Sequence, residues 1–425
     1  MGKRVVVTGL GVLAPNGIGV DEFYKSLYEG KSGIRFIEEL KELNFGCQIG
    51  GVVESHNSAY NSMLDALGFG AANEYVKLSC LAGMEAWVDA GFSVPVYQKG
   101  EVDDETGVIM GSGLGAIDII RDKLIPYTNN GQVRKLRSTI VEYSMFSAST
   151  ANLSGVLALG NQSLSVSSAC SSSTEAIIMG YDRIKSGKAK RMLVGGVEVY
   201  TPHTWAGFDA MRLLTSQHNE TPELGSCPMS VNVSGFVPSS GAGIIMIEEL
   251  HSALNRGARI YAEIKGCYSN SGGQRQGGTM NIPNPQGVVK CIKGALTDAQ
   301  TAPEEIDLIS GHLTSTIADA IEVKNWASAL SLNKNNFPFI NAPKSMTGHL
   351  IGAAGIIETI ASVLQIYHSF IHPSINCNEV NRDIEKLIDT TKIPRNVINN
   401  VNVNCVAKAS FGFGDVNACL ILKKI

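Results

Sequence analysis

The chain has 425 residues, more than one hydrophobic core usually supports, so we expect two domains or one large duplicated fold. Hydrophobic residues make up 44% and charged residues 17% of the chain, a composition that excludes a mainly disordered protein. The net charge is −4, from 35 basic and 39 acidic residues. Because no basic block occurs, the composition argues against nucleic acid as a main partner.

Cysteine usage and the apolar segments indicate the compartment. The nine cysteines are scattered from Cys47 to Cys419 without a disulfide framework or metal-ligand spacing, which predicts a cytoplasmic protein with reduced thiols. Lys3 and Arg4 lead directly into an apolar run without a signal-peptide core, so we expect the first residues to belong to the fold. The most apolar stretch, residues 350–367, contains polar side chains such as Glu358 and therefore predicts a buried helix rather than a membrane span.

Short apolar runs that alternate with helical patterns set the predicted fold class. Such runs are typical of an α/β protein whose sheet is largely parallel and buried on both faces. In chain order, the predicted strands cover residues 5–8, 108–110, 163–167, 192–194, 243–247, 261–265, 306–310, 337–341, 401–406 and 417–422.

The two halves of the chain show the same order of elements around a change of segment near residues 251–257. In the first half, the strand at 163–167 leads through Cys170 into a helix from about Ser172. In the second half, the strand at 337–341 leads through Lys344 into the helix after His349. We therefore predict a duplicated unit, residues 1–252 and 253–425, with the chemistry on equivalent strand-to-helix turns.

Cys170 is the candidate nucleophile. It lies where a β-strand pattern meets small polar residues and then a helical pattern. The partial positive charge and free amides at a helix N-terminus favour the thiolate, which is the nucleophilic form of cysteine. The other cysteines are predicted to be small buried apolar side chains.

Two of the eight histidines, His312 and His349, stand at predicted strand ends or helix starts in the second half. A thiol with imidazoles at turns of a duplicated α/β fold suits acyl transfer. The glycines of residues 410–415, after a predicted strand, can expose amides of the kind that an oxyanion hole requires.

These motifs together resemble the beta-ketoacyl-acyl carrier protein synthases, which are condensing enzymes of the thiolase superfamily. The resemblance is strongest to the elongating type of bacterial fatty acid synthesis and covers nearly the whole chain. It implies a thiolase-like fold of two αβαβα halves related by a pseudo-twofold axis, usually assembled as a dimer. The segments that carry it are residues 7–11, 29–34, 111–113, 168–170, 195–198, 344–349 and 412–414.

The resemblance also implies roles for individual residues. Cys170 would take the acyl chain from a carrier-protein thioester, and the amides of Cys170 and Phe413 would hold the oxyanion. His312 and His349 would promote decarboxylation of malonyl-acyl carrier protein and stabilise the enolate that attacks the acyl-enzyme. Other implied roles are electrostatic support by Lys344, gating by Phe413, an acyl-pocket position at Phe208, support by Asp319 and Glu322, and carrier-protein binding by Arg212, with Lys77 and Arg275 as weaker candidates.

The same resemblance implies the partners and the absence of a cofactor. No metal, flavin or nicotinamide is needed, because the loss of CO₂ drives the reaction, and phosphopantetheine arrives on the acyl carrier protein. The other expected partner is a second ketosynthase-like subunit, in a homodimer or a heterodimer. No nucleic acid or membrane partner is expected.

Several positions depart from the family pattern. Leu313 stands where the family has glycine, and Ile317 where it has proline. Asp415 also replaces a glycine, and a carboxylate beside the oxyanion loop would oppose negative charge unless it points away. Ser230, Val233 and Ser234 lie in a segment that in the family carries an Asp, an Arg and a second Asp.

Three other interpretations compete with an elongating synthase. Residues 9–14 have the spacing of a dinucleotide-binding fingerprint directly after a strand, although residues 15–17 interrupt the helix that should follow. A degradative thiolase would need a second catalytic cysteine near the C-terminal glycines, and Cys419 falls inside a predicted strand. A type II polyketide or polyene system is the third alternative, in which the chain would be the catalytic ketosynthase or, with less support, a non-catalytic subunit like a chain-length factor.

Overall fold

The structure is a computed structural model that describes residues 3–425, so Met1 and Gly2 lie outside the described residues. One large mixed sheet organises the chain, and the expectation that the first residues join the fold holds from β1 onward, which begins at Val5. The strands are β1 (Val5–Ala14), β2 (Gly17–Ile18), β3 (Arg35–Phe36), β4 (Ile49–Gly50), β5 (Thr106–Gly111), β6 (Ser163–Val166), β7 (Arg191–Glu198), β8 (Gly241–Glu249), β9 (Ala262–Ser271), β10 (Leu308–Ser310), β11 (Phe339–Asn341), β12 (Phe370–Ile371), β13 (Ile398–Asn399), β14 (Cys405–Gly412) and β15 (Val416–Lys423).

Helices cover both faces of the sheet. They are α1 (Val20–Glu29), α2 (Glu38–Glu42), α3 (Asn61–Leu64), α4 (Glu74–Asp89), α5 (Ile117–Ile119), α6 (Ile125–Asn129), α7 (Thr139–Ser144), α8 (Ala148–Leu157), α9 (Ser172–Lys185), α10 (Pro202–Ala210), α11 (Leu250–Asn255), α12 (Pro285–Ala299), α13 (Ala318–Leu330), α14 (Lys344–Thr347), α15 (Ala354–His368) and α16 (Arg382–Leu387).

The strand order confirms the duplication. From one edge the sheet runs β6-β5-β7-β8-β1, and from the other edge it runs β11-β10-β14-β15-β9. In each half the first three strands are parallel and the remaining pairings are antiparallel, and β1 meets β9 in the middle. The fold is therefore the thiolase-like duplicated α/β architecture with pseudo-twofold symmetry.

Each predicted strand corresponds to one strand of this sheet, but the expectation of a largely parallel sheet was wrong. The five pairings in the middle of the sheet are antiparallel. The connection from β14 to β15 is a turn of only three residues, 413–415, and parallel neighbours need a crossover of a dozen or more residues. The strand predicted at 401–406 begins only at Cys405 and extends to Gly412, so the first part of the glycine motif is strand rather than loop.

The dinucleotide fingerprint is also wrong as an interpretation of residues 9–14. Both Gly9 and Gly11 lie inside β1, where a Cβ atom would collide with carbonyl oxygens of Ala86 and Ala82 on α4. The glycines therefore allow a helix to pack closely on the strand, and no helix N-terminus follows them to receive a pyrophosphate.

Helix α15 is a core helix, as its polar interruptions predicted. Within residues 3–425, the helical segment Ile351–His368 is apolar enough to cross a membrane, with a hydropathy of 1.2, but 89% of it is buried inside the protein. It packs on α9, its equivalent in the first half. Because Cys170 precedes α9 and His349 precedes α15, this contact brings the two strand-to-helix turns together.

Candidate active site

Cys170 lies in the turn between β6 and α9. The turn leaves β6 after Val166, and α9 begins at Ser172, as predicted. Ala169 has a φ of 52°, in the left-handed region that residues other than glycine seldom adopt. This sharp turn directs the thiol into the interior, where Cys170 is only 7% exposed.

The two predicted histidines converge on this thiol. His349 Nε2 lies 3.2 Å from Cys170 Sγ. The rings of His312 and His349 are 5.3 Å apart between centroids. One ligand atom from each of the three side chains can be chosen so that all lie within 4.8 Å of one another. The nucleophile from one half and both imidazoles from the other half thus share one site.

Hydrogen bonds assign the tautomer of each imidazole. The amide of Ile351 donates to His349 Nδ1 over 3.2 Å. The ammonium of Lys344 lies 3.4 Å from His312 Nδ1 and can only donate to it. Because both Nδ1 atoms accept, each neutral ring carries its hydrogen on Nε2.

Burial keeps both imidazoles neutral. Desolvation lowers the pKa of His312 and that of His349 well below the ordinary 6.5, and the positive charge of Lys344 acts in the same direction. Near neutral pH, both residues are therefore hydrogen-bond donors rather than cations.

The expectation that the helix N-terminus makes Cys170 a thiolate needs correction. Burial raises the pKa of Cys170 to about 11, although Lys344 and the backbone amide of Phe413 lower it. Desolvation of a sulfur anion outweighs these favourable neighbours. The resting nucleophile is a thiol, and the nearby donors stabilise negative charge on the sulfur only as the reaction develops it.

A buried cluster of three charges lies behind the imidazoles. Glu358, on α15, forms an ion pair with Lys344 and contacts Lys408 of β14 through Oε2 at 3.1 Å. All three side chains are at most 2% exposed. Lys344 therefore has the predicted supporting position, held between a carboxylate and the ring of His312.

Asp319 and Glu322 hold the His312 segment, as their predicted supporting role requires. Glu322 accepts the amides of His312 and Leu313, both over 2.7 Å. Asp319 accepts the amide of Thr314 over 2.8 Å and the amide of Met229 over 2.9 Å. Burial raises the pKa of Asp319 to about 6 and that of Glu322 to about 7.

The turn between β14 and β15 lies beside Cys170, where the predicted oxyanion donor would have to be. Gly412 lies against the nucleophile turn, where a Cβ atom would be 3.2 Å from the amide nitrogen of Cys170. The amide of Phe413 lies beside the Cys170 sulfur.

The carboxylate of Asp415 points away from this turn. It accepts the amides of Gln274 and Asn284, each over 2.8 Å, and is fully buried. The concern that it opposes an oxyanion therefore does not apply.

An apolar cavity of about 290 Å³ opens above the thiol. Phe208 lines it, as predicted, and its ring lies 6.1 Å from that of Phe413. The cavity lining comprises Cys170, Phe208, Leu213, Phe236, Asn281, Ile282, Pro283, His312, Thr314, Thr316, Ile317, Ala318, Asp319, Ile321, Glu322, Asn325, His349, Ile351, Phe411 and Phe413. Its aromatic and aliphatic walls suit a hydrocarbon chain or the arm that carries one.

The carrier-protein candidates lie on the surface. Arg212 is exposed just after α10, and its neighbour Leu213 lines the cavity. Arg275 is exposed between β9 and α12, in the segment that contributes residues 281–283 to the lining. Lys77 is half-buried on α4, away from the cavity lining.

Two departures from the family pattern lie beside the site. Leu313 is fully buried in the core, whereas Ile317 is 81% exposed at the cavity rim.

The segment that lacks the family's charges is held by neutral contacts instead. Ser234 shares a hydrogen bond with Thr215 over 2.6 Å, Ser230 pairs with Val380, and Val233 is half-buried.

Cys419 lies inside β15 and is fully buried, which argues against its use as a second catalytic cysteine.

Cys170, His312 and His349 are also the groups that could hold a metal ion. The tautomers argue against it, because a metal at Nε2 requires that nitrogen to lose its hydrogen and Nδ1 to gain one. Both Nδ1 atoms already face donors. The Nε2 hydrogens suit an oxygen that accepts hydrogen bonds better than a cation.

Three buried charges were not predicted as site residues. Glu198 accepts the amides of Gly113 and Gly352, over 2.8 and 3.0 Å, and so joins the loop after β5 to the segment between α14 and α15. Glu358 and Lys408 form the charge cluster with Lys344. The sequence did contain a sign of them, because each is a charged residue within an apolar helix or strand pattern. Such a residue needs a buried partner when the segment is in the core.

Fold and site together define a thiolase-like condensing enzyme that transfers acyl groups. Residues 2–253 match the beta-ketoacyl synthase N-terminal domain, and residues 261–378 match the beta-ketoacyl synthase C-terminal domain. The chain belongs to the beta-ketoacyl synthase family.

Relatives of known function align along the full length. The 3-oxoacyl-acyl-carrier-protein synthase 1 of Escherichia coli (strain K12) is 34% identical, covering 100% of this chain and 99% of its own length. Synthase 1 of Buchnera aphidicola subsp. Schizaphis graminum is 35% identical, and the alignment covers 99% of this chain and 100% of the relative. Synthase 2 of Vibrio harveyi is 32% identical, with 100% and 99% covered.

Solved structures show the same fold over the whole chain. A beta-ketoacyl synthase from Burkholderia phymatum superposes with a TM-score of 0.89 at 26% identity, covering 100% of both chains. A ketosynthase from a type II polyketide system, solved in complex with its acyl carrier protein, superposes with a TM-score of 0.87 at 28% identity. The superposition again covers 100% of both chains. The ishigamide ketosynthase/chain length factor gives 0.86 at 27% identity with the same coverage.

Proposed function

We propose that the protein condenses an acyl group held on Cys170 with malonyl-acyl carrier protein, releasing CO₂ and forming a β-ketoacyl-acyl carrier protein. The observation that carries the proposal is the meeting of Cys170 with two neutral imidazoles that both carry their hydrogen on Nε2. No cofactor takes part, and the phosphopantetheine arm belongs to the carrier protein.

The first half-reaction moves the acyl chain onto the enzyme. The Cys170 sulfur attacks the carbonyl carbon of the acyl thioester, and the amides of Cys170 and Phe413 bind the oxygen that becomes negative. The bond to the carrier sulfur then breaks, and the thiol proton of Cys170 ends on that sulfur. The acyl chain occupies the apolar cavity beside Phe208.

The second half-reaction forms the carbon–carbon bond. When the malonyl carboxylate leaves as CO₂, its bonding electron pair becomes an enolate whose negative charge lies on the thioester oxygen. The Nε2 hydrogens of His312 and His349 bind this oxygen, which is where preorganised donors lower the barrier most. The enolate carbon then attacks the acyl carbonyl, and the Cys170 sulfur leaves as a thiolate that takes up a proton from water to restore the resting thiol.

Fatty acid elongation is the pathway that the relatives favour, since those named above are 3-oxoacyl-acyl-carrier-protein synthases. The second candidate is a ketosynthase of a type II polyketide or polyene system, which the similarity to the two polyketide structures supports. The full set of Cys170, His312, Lys344 and His349 argues against a non-catalytic subunit.

A second ketosynthase-like subunit is expected along the edge of the sheet. Strand β6 pairs only with β5 within residues 3–425, so its other side is a free edge. The helices packed against β6 are α9, which carries the exposed Met179 (38%), and α8, which follows the exposed Met145 (39%). Such an uncovered edge with apolar neighbours suits strand pairing with a related chain.

Acyl carrier protein is expected to dock at the cavity mouth through Arg212. The side chain is exposed and carries a positive charge that suits an acidic partner. Arg212→Glu should weaken carrier binding in a titration while changing alkylation of Cys170 by iodoacetamide little. Equal affinity of both proteins for the carrier would remove this role.

The proposal is tested by intact-protein mass spectrometry with a panel of acyl-carrier proteins, followed by addition of malonyl-acyl carrier protein. We expect one acyl adduct on wild-type protein and on the buried-thiol control Cys419→Ala, none on Cys170→Ala, and loss of the adduct as β-ketoacyl product forms. An adduct that is hydrolysed without condensation, or condensation by Cys170→Ala, would refute the proposed reaction. The chain lengths accepted would also separate the two pathways.

The expectation of a cytoplasmic protein is retained as part of the proposal. All nine cysteines, each within residues 3–425, are unpaired and buried, which suits a reducing compartment.

A further inference from the structure

Lys408 is a buried ammonium beside the site that no step of the proposed reaction uses. It is fully buried in β14, and its Nζ donates to the hydroxyls of Thr174 and Ser410, over 2.8 Å in the first case. Its Nζ also lies 3.1 Å from Glu358 Oε2. Since Thr174 lies in the first turn of α9, Lys408 connects the helix after Cys170 with the carboxylate of α15.

The charges of this cluster do not cancel. Glu358 is shared by Lys344 and Lys408, so two ammoniums face one carboxylate. The hydroxyls of Thr174 and Ser410 are neutral and supply hydrogen bonds without charge. Burial lowers the pKa of Lys408, whereas Glu358 raises it. With both lysines protonated, one positive charge is in excess, and in a buried site it acts on its neighbours more strongly than it would in water.

Lys408 faces Glu358 on α15, Lys344 on α14 and the thiol of Cys419 on β15. Lys344 in turn contacts the ring of His312, so His312 is the titratable group best placed to respond to the positive charge of the cluster.

The charged and titratable neighbours of His312 come from several elements. Lys344 contacts its ring, His349 and Cys170 share the site, and Glu322 binds its backbone amide. Lys408 adds to the positive charges that lower the pKa of His312. Protonation of His312 would place a third cation against a single carboxylate.

We propose that Lys408 is a positioning residue whose positive charge, held at Glu358, adds to burial and to Lys344 in keeping His312 neutral. The inference rests on the proposed function, because it is there that a neutral His312 binds the enolate oxygen. Lys408 touches neither substrate nor nucleophile and acts through the charge cluster.

The test is a pH titration of the His312 ring in the full chain labelled with ¹⁵N-histidine, assigned with His312→Asn. We expect His312 to remain neutral to well below pH 6.5 in the wild type. In Lys408→Met and Lys408→Gln the midpoint should rise by a few tenths of a pH unit, a roughly twofold change in proton affinity, because one of the positive charges that disfavour the imidazolium is gone. Lys408→Arg, which keeps the charge, should restore the wild-type titration.

The two neutral variants separate charge from hydrogen bonding. Gln can still bond Thr174 and Ser410, so a shift in the Met variant alone would show that hydrogen bonds matter and would overturn the proposal. An unchanged midpoint in either variant, with unchanged thermal melting, would also overturn it. The matched control is Lys423→Met. Lys423 lies on the neighbouring strand β15 and pairs with Glu305, so its removal should leave the titration of His312 unchanged.

This experiment is independent of the condensation assay. The titration uses no substrate, so a protein that fails to condense would refute the proposed function and leave the effect of Lys408 on His312 measurable. Conversely, an unchanged His312 titration in the Lys408 variants would refute the role of Lys408 without affecting the proposed acyl transfer to Cys170.

Discussion

The two imidazoles act as donors because their neighbours fix the tautomer. In a usual cysteine–histidine pair, the histidine accepts the thiol proton. Here the Ile351 amide and the Lys344 ammonium occupy the two Nδ1 atoms, and burial disfavours imidazolium. The same geometry that makes His349 a poor base makes it a good partner for an enolate oxygen.

The pH dependence of the reaction should follow buried carboxylates rather than histidines. Burial raises the pKa of Glu322 and that of Glu198 to about 7, and each accepts hydrogen bonds from loop amides more strongly when ionised than when protonated. As the pH falls through 7, protonation removes an acceptor and loosens the loops around the imidazoles. We expect the single-turnover condensation rate to fall several-fold from pH 8 to pH 6.

The variant Glu322→Gln provides the control for this prediction. It cannot ionise, so its rate at pH 8 should already be as low as the wild-type rate at pH 6. A wild-type rate that is constant over this range would contradict the assignment, because the pKa of His312 and that of His349 lie lower.

Removal of the shared carboxylate should destabilise the protein strongly. Glu358→Gln leaves the ammoniums of Lys344 and Lys408 buried without a counter-charge, and breaking a buried pair typically costs about 3–5 kcal/mol. Urea denaturation measures this loss. The control Glu305→Gln breaks the half-exposed pair with Lys423 and should cost less than about 1 kcal/mol. Equal losses would show that Glu358 is not the counter-charge of the cluster.

The residues of the site were predictable to different degrees. Cys170, His312 and His349 could be proposed because small residues and strand-to-helix turns mark them locally, whereas the role of Lys344 came only from the family resemblance. The pairing of Glu358 with Lys408 depends on which strand faces which helix, and local pattern does not contain that. The thiolate expectation failed for the same reason, since the depth at which Cys170 is buried is a property of the assembled fold.

At the scale of elements, the hairpin of β14 and β15 carries two functions in adjacent residues. Phe413 presents its amide to the nucleophile, whereas Asp415 binds the segment between β9 and α12. The Gly414 amide donates to the Met280 carbonyl over 2.8 Å and adds to this attachment. The segment between β9 and α12, which forms one wall of the cavity, is thus hydrogen-bonded to the turn that contains Phe413.

Loss of this attachment should appear as faster hydrogen exchange. In Asp415→Asn, one of the two amides of Gln274 and Asn284 faces a donor, and a lost buried hydrogen bond costs about 1–3 kcal/mol. We expect exchange in residues 272–284 to accelerate about tenfold or more, measured by mass spectrometry. Asp307→Asn, which removes a carboxylate bound to the amides of Asn404 and Cys405, should affect only its own surroundings. Unchanged exchange in residues 272–284 would show that Asp415 does not hold them.

At the scale of the whole molecule, the duplication places the chemistry. Helices α9 and α15 occupy equivalent positions, so the contact between them joins a nucleophile turn from one half with an imidazole turn from the other. The order of elements along the chain was enough to predict this repeat. Strand direction was not, because apolar runs look alike in parallel and antiparallel pairs when both faces are buried.

The free edge of β6 leads to a prediction about assembly. We expect sedimentation velocity at micromolar concentration to show twice the mass of one chain, because the edge and its apolar neighbours are uncovered in a single chain. A monomer under these conditions, which forms a complex only with a related chain, would favour the heterodimer instead.

The most direct test of the account separates its two half-reactions. Wild-type, His312→Ala and His349→Ala proteins are each loaded with an acyl chain on Cys170, isolated, and mixed with malonyl-acyl carrier protein while CO₂ and β-ketoacyl product are followed. We expect all three to carry the acyl chain, and each variant to form product at least about a hundredfold more slowly than the wild type, in line with the loss of one oxyanion donor. Condensation by either variant at the wild-type rate would contradict the claim that two imidazoles of the second half hold the enolate for a nucleophile of the first.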